Sequence, residues 1–484
     1  MTLPSLITMS PWLYWVSFLA YAVTVLSLVA VIVSENRNPL KSLAWITVLT
    51  TFPVGGLILY IFFGRSIKNT RMISRRKRRR LLQSESREEP SDYSDSLKSL
   101  SPVSRQQIEL ARSLAAAPVY TDNRVEIFAD GREKFARLKE DLKNARHTIL
   151  LQYYIFESDK IGSEIADILI AKAKEGVKVR VIYDHIGSIK VRNRFFKTMR
   201  EAGVEIYPFF RVVFPIFATR INWRNHRKIC VIDGRIGYIG GMNIADRYLD
   251  GGKFESWHDL HLRVAGPAVA AFHYSFAVDW NFMGNQLIEP MPSGTPFRES
   301  GLKGAMQLVT AGPTGEWSNI GMVMLKAIGN AKKRVWIQTP YFLPTEGLLR
   351  ALQAAALARV DVRVMMPARS DSAILTHASY SYVKECLRAG IKIYLFERGM
   401  LHSKMMVVDD DFATVGSTNF DFRSFEHNFE SNLFIYSTQV NEALRRRFMI
   451  DQADSRRLNA AEWRRRPLSQ RMLESVVRLL SPIL

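Results

Sequence analysis

One pattern occurs twice in this chain. His226-Arg227-Lys228-Ile229-Cys230-Val231-Ile232-Asp233 is followed by Gly240-Gly241-Met242-Asn243, and His402-Ser403-Lys404-Met405-Met406-Val407-Val408-Asp409 by Gly416-Ser417-Thr418-Asn419. Both copies read H-x-K-x-x-x-x-D and then, at the same distance, a glycine with an asparagine three residues on. Ordinary residue frequencies put one chance H-x-K-x-x-x-x-D in a chain of this length at roughly a few in a hundred. Two with identical downstream spacing are far rarer, so any fold for this sequence has to accommodate an internal duplication.

The residue types suggest what the duplication is for. Side chains two apart on an extended segment point the same way, so each copy offers one imidazole and one ammonium to the same space. Displacing an alcohol from a phosphodiester requires a nucleophile at phosphorus, an acid for the leaving oxygen and cations around the other oxygens. One copy supplies half of that set. Two copies facing each other across a pseudo-two-fold axis supply His226 and His402 on opposite sides of a phosphate, with Lys228 and Lys404 around it.

The rest of the chain can be laid against itself in the same way. Residues 147–155 match 334–342 as a strand, 177–184 match 360–367 as another, and Ala202-Gly203 matches Ala389-Gly390 as a turn. Between the first two strands of each half lies a helical stretch, 163–174 and 346–358, with apolar residues at helical spacing. Strand, helix, strand alternation predicts an α/β fold with mixed sheets covered by helices. The first half has 24 residues from Ala202 to His226, where the second has 13 from Ala389 to His402. The added segment, Phe209 to Phe217, is aromatic enough to be either core or a lip beside the pocket that meets lipid.

The N-terminus has a different character. Leu13 to Val33 and Leu43 to Phe63 are apolar runs, each long enough for a bilayer-spanning helix, separated by a hairpin turn at 34–41. Arg65, Lys68, Arg71 and the run 75–80 follow, which places that side, and the catalytic body after it, in the cytoplasm. Residues 83–102, rich in Ser and Glu, read as a linker. With a formal charge of +21 the chain favours a polyanionic partner, nucleic acid or an anionic membrane surface. Cys230 and Cys386 are the only cysteines, too few for a disulfide framework or a zinc knuckle. The tail is basic at 445–447, 456–457 and 464–466. A last helix follows, with Leu468, Met472, Val476, Leu479 and Ile483 on one face, suited either to docking on the core or to lying in a membrane interface.

The paired motifs resemble those of the phospholipase D superfamily. The flanks, including Asn38-Pro39, Pro53-Val54-Gly55-Gly56, Asn419-Phe420-Asp421-Phe422-Arg423-Ser424 and the ending from Trp463, are similar to bacterial cardiolipin synthases. The resemblance implies two duplicated lobes, residues 121–300 and 301–440, packed sheet edge to edge with the site between them. Around these it places a two-helix transmembrane hairpin (1–70), a linker (71–120) and a basic amphipathic tail (441–484).

It further implies a phosphatidyl group transferred between two phosphatidylglycerol molecules to give cardiolipin, at a bacterial inner membrane, without metal, cofactor or nucleic acid. His226, Lys228, Asp233, His402, Lys404 and Asp409 form the catalytic motifs, with His226 as nucleophile and His402 as acid. Asn243, Ser417 and Asn419 are expected to hold the phosphate, and Asp259 and Glu430 to orient the histidines. Asp233 and Asp409 are expected to brace turns more than to touch substrate. The alternatives are a membrane-bound phospholipase D with water as acceptor, and a membrane-tethered nucleic-acid binder.

Overall fold

A computed structural model describes residues 10–34, 39–60, 100–212, 222–288 and 300–481, with single positions between 64 and 81. The chain divides into an N-terminal unit ending at residue 66 and a body beginning at residue 67.

In the N-terminal unit, α1 (Pro11–Ser34) contains no charged residue, and its Pro11–Ala30 stretch is long and apolar enough to cross a membrane. It is exposed nearly all round, as a helix solvated by lipid would be. The second apolar run differs from the continuous span expected. It breaks into α2 (Pro39–Thr51) and α3 (Pro53–Leu59). Pro53 is the cause, because its ring excludes the helical conformation from the residue before it, and Phe52 sits at φ −125°, ψ 80°. At 1.5 Å per residue α2 reaches about 20 Å, short of a hydrocarbon core of about 30 Å. The hydroxyl of Tyr21 on α1 donates to the Leu49 carbonyl on α2 at 2.5 Å, and Ile32, Leu49 and Tyr60 pack together. Residues 35–38 of the expected turn, residues 61–63 of the run, most of the basic run at 75–80 and the linker from 83 to 99 lie outside the described residues.

The body starts with α4 (Pro102–Ala115). Its first half runs β1 (Tyr120–Phe128), α5 (Gly131–Lys143), β2 (Thr148–Tyr153), α6 (Lys160–Lys174), β3 (Lys178–Asp184), α7 (Asn193–Glu201), β4 (Glu205–Phe209), β5 (Ile229–Ile232), β6 (Ile236–Gly240), α8 (Arg247–Asp250), β7 (Trp257–His258), β8 (His261–Ala265) and α9 (Val269–Phe282). The second half runs β9 (Leu302–Ala311), α10 (Asn319–Asn330), β10 (Arg334–Gln338), β11 (Phe342–Leu343), α11 (Glu346–Leu357), β12 (Asp361–Pro367), α12 (Ala373–Arg388), β13 (Lys392–Phe396), β14 (Met400–Leu401), β15 (Met405–Val408), β16 (Phe412–Gly416), β17 (Phe420–Asp421), α13 (Phe422–Glu426), β18 (Glu430–Tyr436) and α14 (Thr438–Ala453). After these come β19 (Ser455–Arg457), α15 (Ala460–Arg464) and α16 (Leu468–Arg478).

Fifteen strands form one sheet in the order β19-β13-β12-β10-β15-β16-β18-β9-β1-β8-β6-β5-β2-β3-β4. From the antiparallel β9–β1 contact outward, each of the seven strands of the first half has its counterpart at the same place in the second, and β19 is added at the second half's outer edge. Within each half, three parallel strands, β2-β3-β4 or β10-β12-β13, adjoin antiparallel ones, as mixed sheets require. The crossovers are helical because parallel neighbours cannot be joined by a tight turn. Two of the helices are started by aspartates: Asp130 accepts from the Arg132 N–H at 2.6 Å and Asp159 from the Gly162 N–H at 3.0 Å. Separate cores lie under α5–α7 in the first half and under α10–α12 in the second. Beneath α9 and α14 a third apolar layer, including Phe272, Phe276, Leu444 and Phe448, spans both halves.

Three expectations are corrected by this architecture, and one open alternative is decided in part. Gln152 faces Ile229 and Gln338 faces Met405, so Thr148 corresponds to Arg334 and the first strand alignment was one residue out of register. A slip of one turns every side chain to the other face of the sheet. The stretch expected as linker to residue 120 contains α4, capped by Ser101 and seated through Ile108 and Ala111 on the second half. The tail expected from residue 441 begins inside α14, whose Val440, Leu444 and Phe448 are core. Finally, Phe209 is fully buried and packs with Phe282 and Phe429, so the start of the aromatic insertion is core, while residues 213–217 lie outside the described residues.

Candidate active site

Both histidines and both lysines sit just before a short buried strand, His226 and Lys228 ahead of β5 and His402 and Lys404 ahead of β15. The apolar residues of those strands anchor the segment from behind. Each lysine folds back on its own motif: Lys228 Nζ donates to the His226 carbonyl at 2.6 Å, and Lys404 Nζ bonds the His402 carbonyl and lies 2.7 Å from His402 Nδ1.

The two halves meet at these residues. The His226 N–H donates to the Phe429 carbonyl at 2.9 Å, and the His402 N–H to the His258 carbonyl at 2.6 Å. Asn225 bridges Phe429, and β14 pairs with β7, in both cases in parallel. Each segment leading to a histidine therefore runs alongside the segment leading to the other half's acid. Glu430 accepts from His226 Nδ1, 2.9 Å from one carboxylate oxygen and 3.1 Å from the other. Asp259 accepts from His402 Nδ1 at 2.7 Å and lies 3.9 Å from Lys404 Nζ. With Nδ1 committed to a carboxylate, each ring keeps Nε2 for chemistry.

Electrostatics join the groups into one site. Burial, then the positive charges of Lys228 and Lys404, holds His226 down to about 4 despite Glu430. His402 is lowered by burial and by Lys404. Burial brings Lys228 to about 7 and Lys404 to about 8, with Asp259 and Glu430 opposing the shift in both. Burial would raise Glu430, but His226, Lys228 and the Ser417 hydroxyl hold it below the ordinary carboxylate range. Two lysines, two carboxylates and two imidazoles thus share one buried space, and a phosphodiester anion placed among them favours the charged form of both lysines.

Model and sequence comparisons agree on the relatives of this chain. A family model described as "Cardiolipin synthase, PLD-like domain" matches residues 138–280 and 324–451, and a "Phospholipase_D-nuclease N-terminal" model matches residues 22–65. Cardiolipin synthase 2 of Bacillus cereus is 41% identical over 459 residues, covering 94% of this chain and 89% of the relative. The major cardiolipin synthase ClsA of Bacillus subtilis is 40% identical, covering 96% and 98%.

The chain belongs to the cardiolipin synthases of the phospholipase D superfamily. Among solved structures, the phosphatidylserine synthase of Haemophilus influenzae shares the fold, with a TM-score of 0.60 at 15% identity over 78% of this chain and 100% of that one.

In this cardiolipin synthase family member the other expected site residues divide by position. Asp233 and Asp409 lie at the far ends of β5 and β15, away from the histidines, at φ 51° and 47°. Asp233 accepts from the backbone N–H groups of Arg146, His147 and Thr148, and Asp409 from those of Lys332, Lys333 and Arg334. They close the turns that lead into β2 and β10. Asp409→Ala, which leaves three backbone donors without their carboxylate, is expected to cost about 1–3 kcal/mol of stability. Thermal unfolding should show that loss while kcat/KM per folded molecule falls less than tenfold.

Ser417 donates its hydroxyl to Glu430, which makes it an orienting group. Its counterpart Gly241 has no side chain because a Cβ there would lie 2.0 Å from Asp259 Oδ1. Asn243 braces the Ile155 N–H at 3.1 Å and the Tyr248 hydroxyl at 2.9 Å, and Asn419 bonds Asp421, so both serve the walls of the site. Four aromatic rings escaped the sequence reading. Tyr154 lies 5.0 Å from the His226 ring, Trp257 5.3 Å from His402, and Tyr248 and Tyr341 6.4 Å from His402. Tyr154 and Tyr341 follow the ends of β2 and β10, the usual place for ligand-facing residues in such sheets and the signal that could have found them. Among the described residues no group of His, Cys, Asp and Glu side chains is arranged to hold a metal ion.

Proposed function

We propose that the protein is a cardiolipin synthase that moves a phosphatidyl group from one phosphatidylglycerol to the terminal hydroxyl of another, releasing glycerol. The observation that carries this reading is the pair of imidazoles, each held by the other half's carboxylate, in a chain about 40% identical to cardiolipin synthases over nearly its whole length. His226 Nε2 attacks phosphorus. The bond to the glycerol oxygen breaks, and that oxygen takes a proton from His402 Nε2. His402 then removes the proton from the incoming hydroxyl, whose oxygen displaces His226 and restores the diester. One phosphodiester is exchanged for another, so no nucleotide is needed. Lys228 and Lys404 hold the unesterified oxygens, and the negative charge of the bound lipid favours the imidazolium His402 requires.

The two N-terminal apolar runs form a membrane hairpin whose second arm is α2 and α3 together, bent at Pro53, with the basic residues after them and the catalytic body on the cytoplasmic side of the inner membrane. Phosphatidylglycerol is itself anionic, so the excess positive charge also enriches substrate near the site.

Incubating the full-length protein with vesicles of phosphatidylglycerol alone tests this. Cardiolipin and glycerol in equal amounts are expected. Phosphatidic acid as the main product would instead assign water as acceptor and a phospholipase D activity. The pH dependence carries its own sign. kcat/KM is expected to fall as pH drops toward about 4, where His226 takes a proton, and to fall as pH rises, first as His402, held below the ordinary imidazole value, loses the proton it gives the leaving oxygen, then through about 7 to 8, where Lys228 and Lys404 lose theirs. Because kcat reports the complex, where the bound anion keeps the lysines charged, its alkaline limb should lie at higher pH.

A further inference from the structure

The last helix is fixed to the body by one face only. On that face Val477 is buried, and the Glu474 carboxylate, also buried, accepts from Arg466 at 2.6 and 3.0 Å. Arg478 pairs with Glu385 at 2.6 Å and lies over the Tyr382 ring, both on α12. On the opposite face Leu468, Met472, Leu473, Val476, Leu479 and Leu480 form a continuous stripe at helical spacing, all exposed, with Val476 at 59% and Leu479 at 79%. A helix that already has its docking partner yet turns six large apolar side chains outward has a second surface to cover.

The charge around the stripe identifies what covers it. From Trp463 to the end of the chain there are five arginines and a single acid, and that acid, Glu474, is buried and paired with Arg466. Arg464 and Arg465 are exposed just before the helix. An apolar stripe bordered by arginines, on a helix whose one acid is buried and paired, fits an interface that is apolar below and anionic above. A second copy of the same helix would set arginine against arginine.

We propose that α16 is a membrane-docking helix: its exposed stripe enters the acyl region of an anionic bilayer while its opposite face holds the catalytic body against that surface. This deepens the reading of the protein as an enzyme of anionic phospholipid and rests on it. It assigns to the end of the chain a contact with lipid separate from the N-terminal apolar helices.

The test uses the full-length protein reconstituted in vesicles, with a fluorophore on Val476→Cys; Cys230 and Cys386 are buried and do not compete for the label. In vesicles containing phosphatidylglycerol, lipids brominated on their acyl chains should quench the label at least about twofold and aqueous iodide should not, as for a helix lying in the interface. Quenching should weaken in phosphatidylcholine vesicles. Absence of acyl-chain quenching overturns the proposal. So does protection from iodide accompanied, in the unlabelled Val476→Cys protein treated with a mild thiol oxidant, by a disulfide between two protein molecules, which would assign the stripe to self-association. Equal quenching in neutral vesicles overturns the choice of an anionic surface. A Met472→Asp/Val476→Asp/Leu479→Asp protein should lose about tenfold or more of its turnover on vesicles and keep its turnover of dispersed short-chain phosphatidylglycerol within about twofold. Equal loss on both substrates would overturn a docking role. If the unmodified protein makes cardiolipin from neither substrate, the proposed reaction fails while the quenching result still decides the helix.

Discussion

A His402→Ala protein is expected to lose about 10²–10⁴-fold in cardiolipin formation, yet to release one equivalent of p-nitrophenol rapidly from a phosphatidyl p-nitrophenyl ester. The p-nitrophenolate ion leaves without a proton, so the first displacement no longer needs the acid. The second still needs a base to take the proton from the incoming hydroxyl, and without His402 the phosphoenzyme accumulates. His226→Ala removes the nucleophile and should abolish both the burst and the turnover, by about 10⁴-fold or more. Both rings are largely shielded from solvent, pushed toward the neutral form by burial and held by carboxylates, so geometry alone gives them equal standing. The leaving-group experiment separates them because it asks for a proton in one step and not in the other. A burst retained by His226→Ala and lost in His402→Ala would exchange the two roles. Full synthase activity in His226→Ala would reject the phosphohistidine scheme.

The second large effect concerns an acid distant in sequence. Glu430→Gln is expected to slow the p-nitrophenol burst by about 10²–10⁴-fold, the scale seen when a carboxylate that fixes a histidine tautomer becomes an amide. Asp259→Asn should leave the burst nearly intact and slow the turnover that follows. Glu430 lies 204 residues beyond His226, and Asp259 143 residues before His402. Pairing by proximity along the chain would predict the reverse assignment, with Asp259 governing the burst. The pH profile adds a readout that mere loosening of the fold would not produce. Glu430 raises the affinity of His226 for a proton against burial and the two lysines, so removing its charge should move the acid limb of kcat/KM to lower pH.

Much of this site is written in local sequence, because local geometry decides it. Two residues apart on an extended segment share a face, which places each lysine beside its histidine. The apolar residues after each lysine could only be buried strands, and the alternation of strand and helix predicted the mixed sheet. The uncharged run in α1 determined a helix suited to lipid. Pro53 is equally legible as a break, because one ring on one nitrogen outweighs the apolarity of its neighbours.

What only the tertiary structure decided is which acid serves which histidine. That depends on the β9–β1 junction and on parallel pairing of the segments ahead of each motif, contacts between residues more than a hundred positions apart. Spacing along a chain specifies which side chains share a face. It does not specify which distant strand lies beside them, because that follows from how two complete lobes bury one continuous apolar layer beneath α9 and α14.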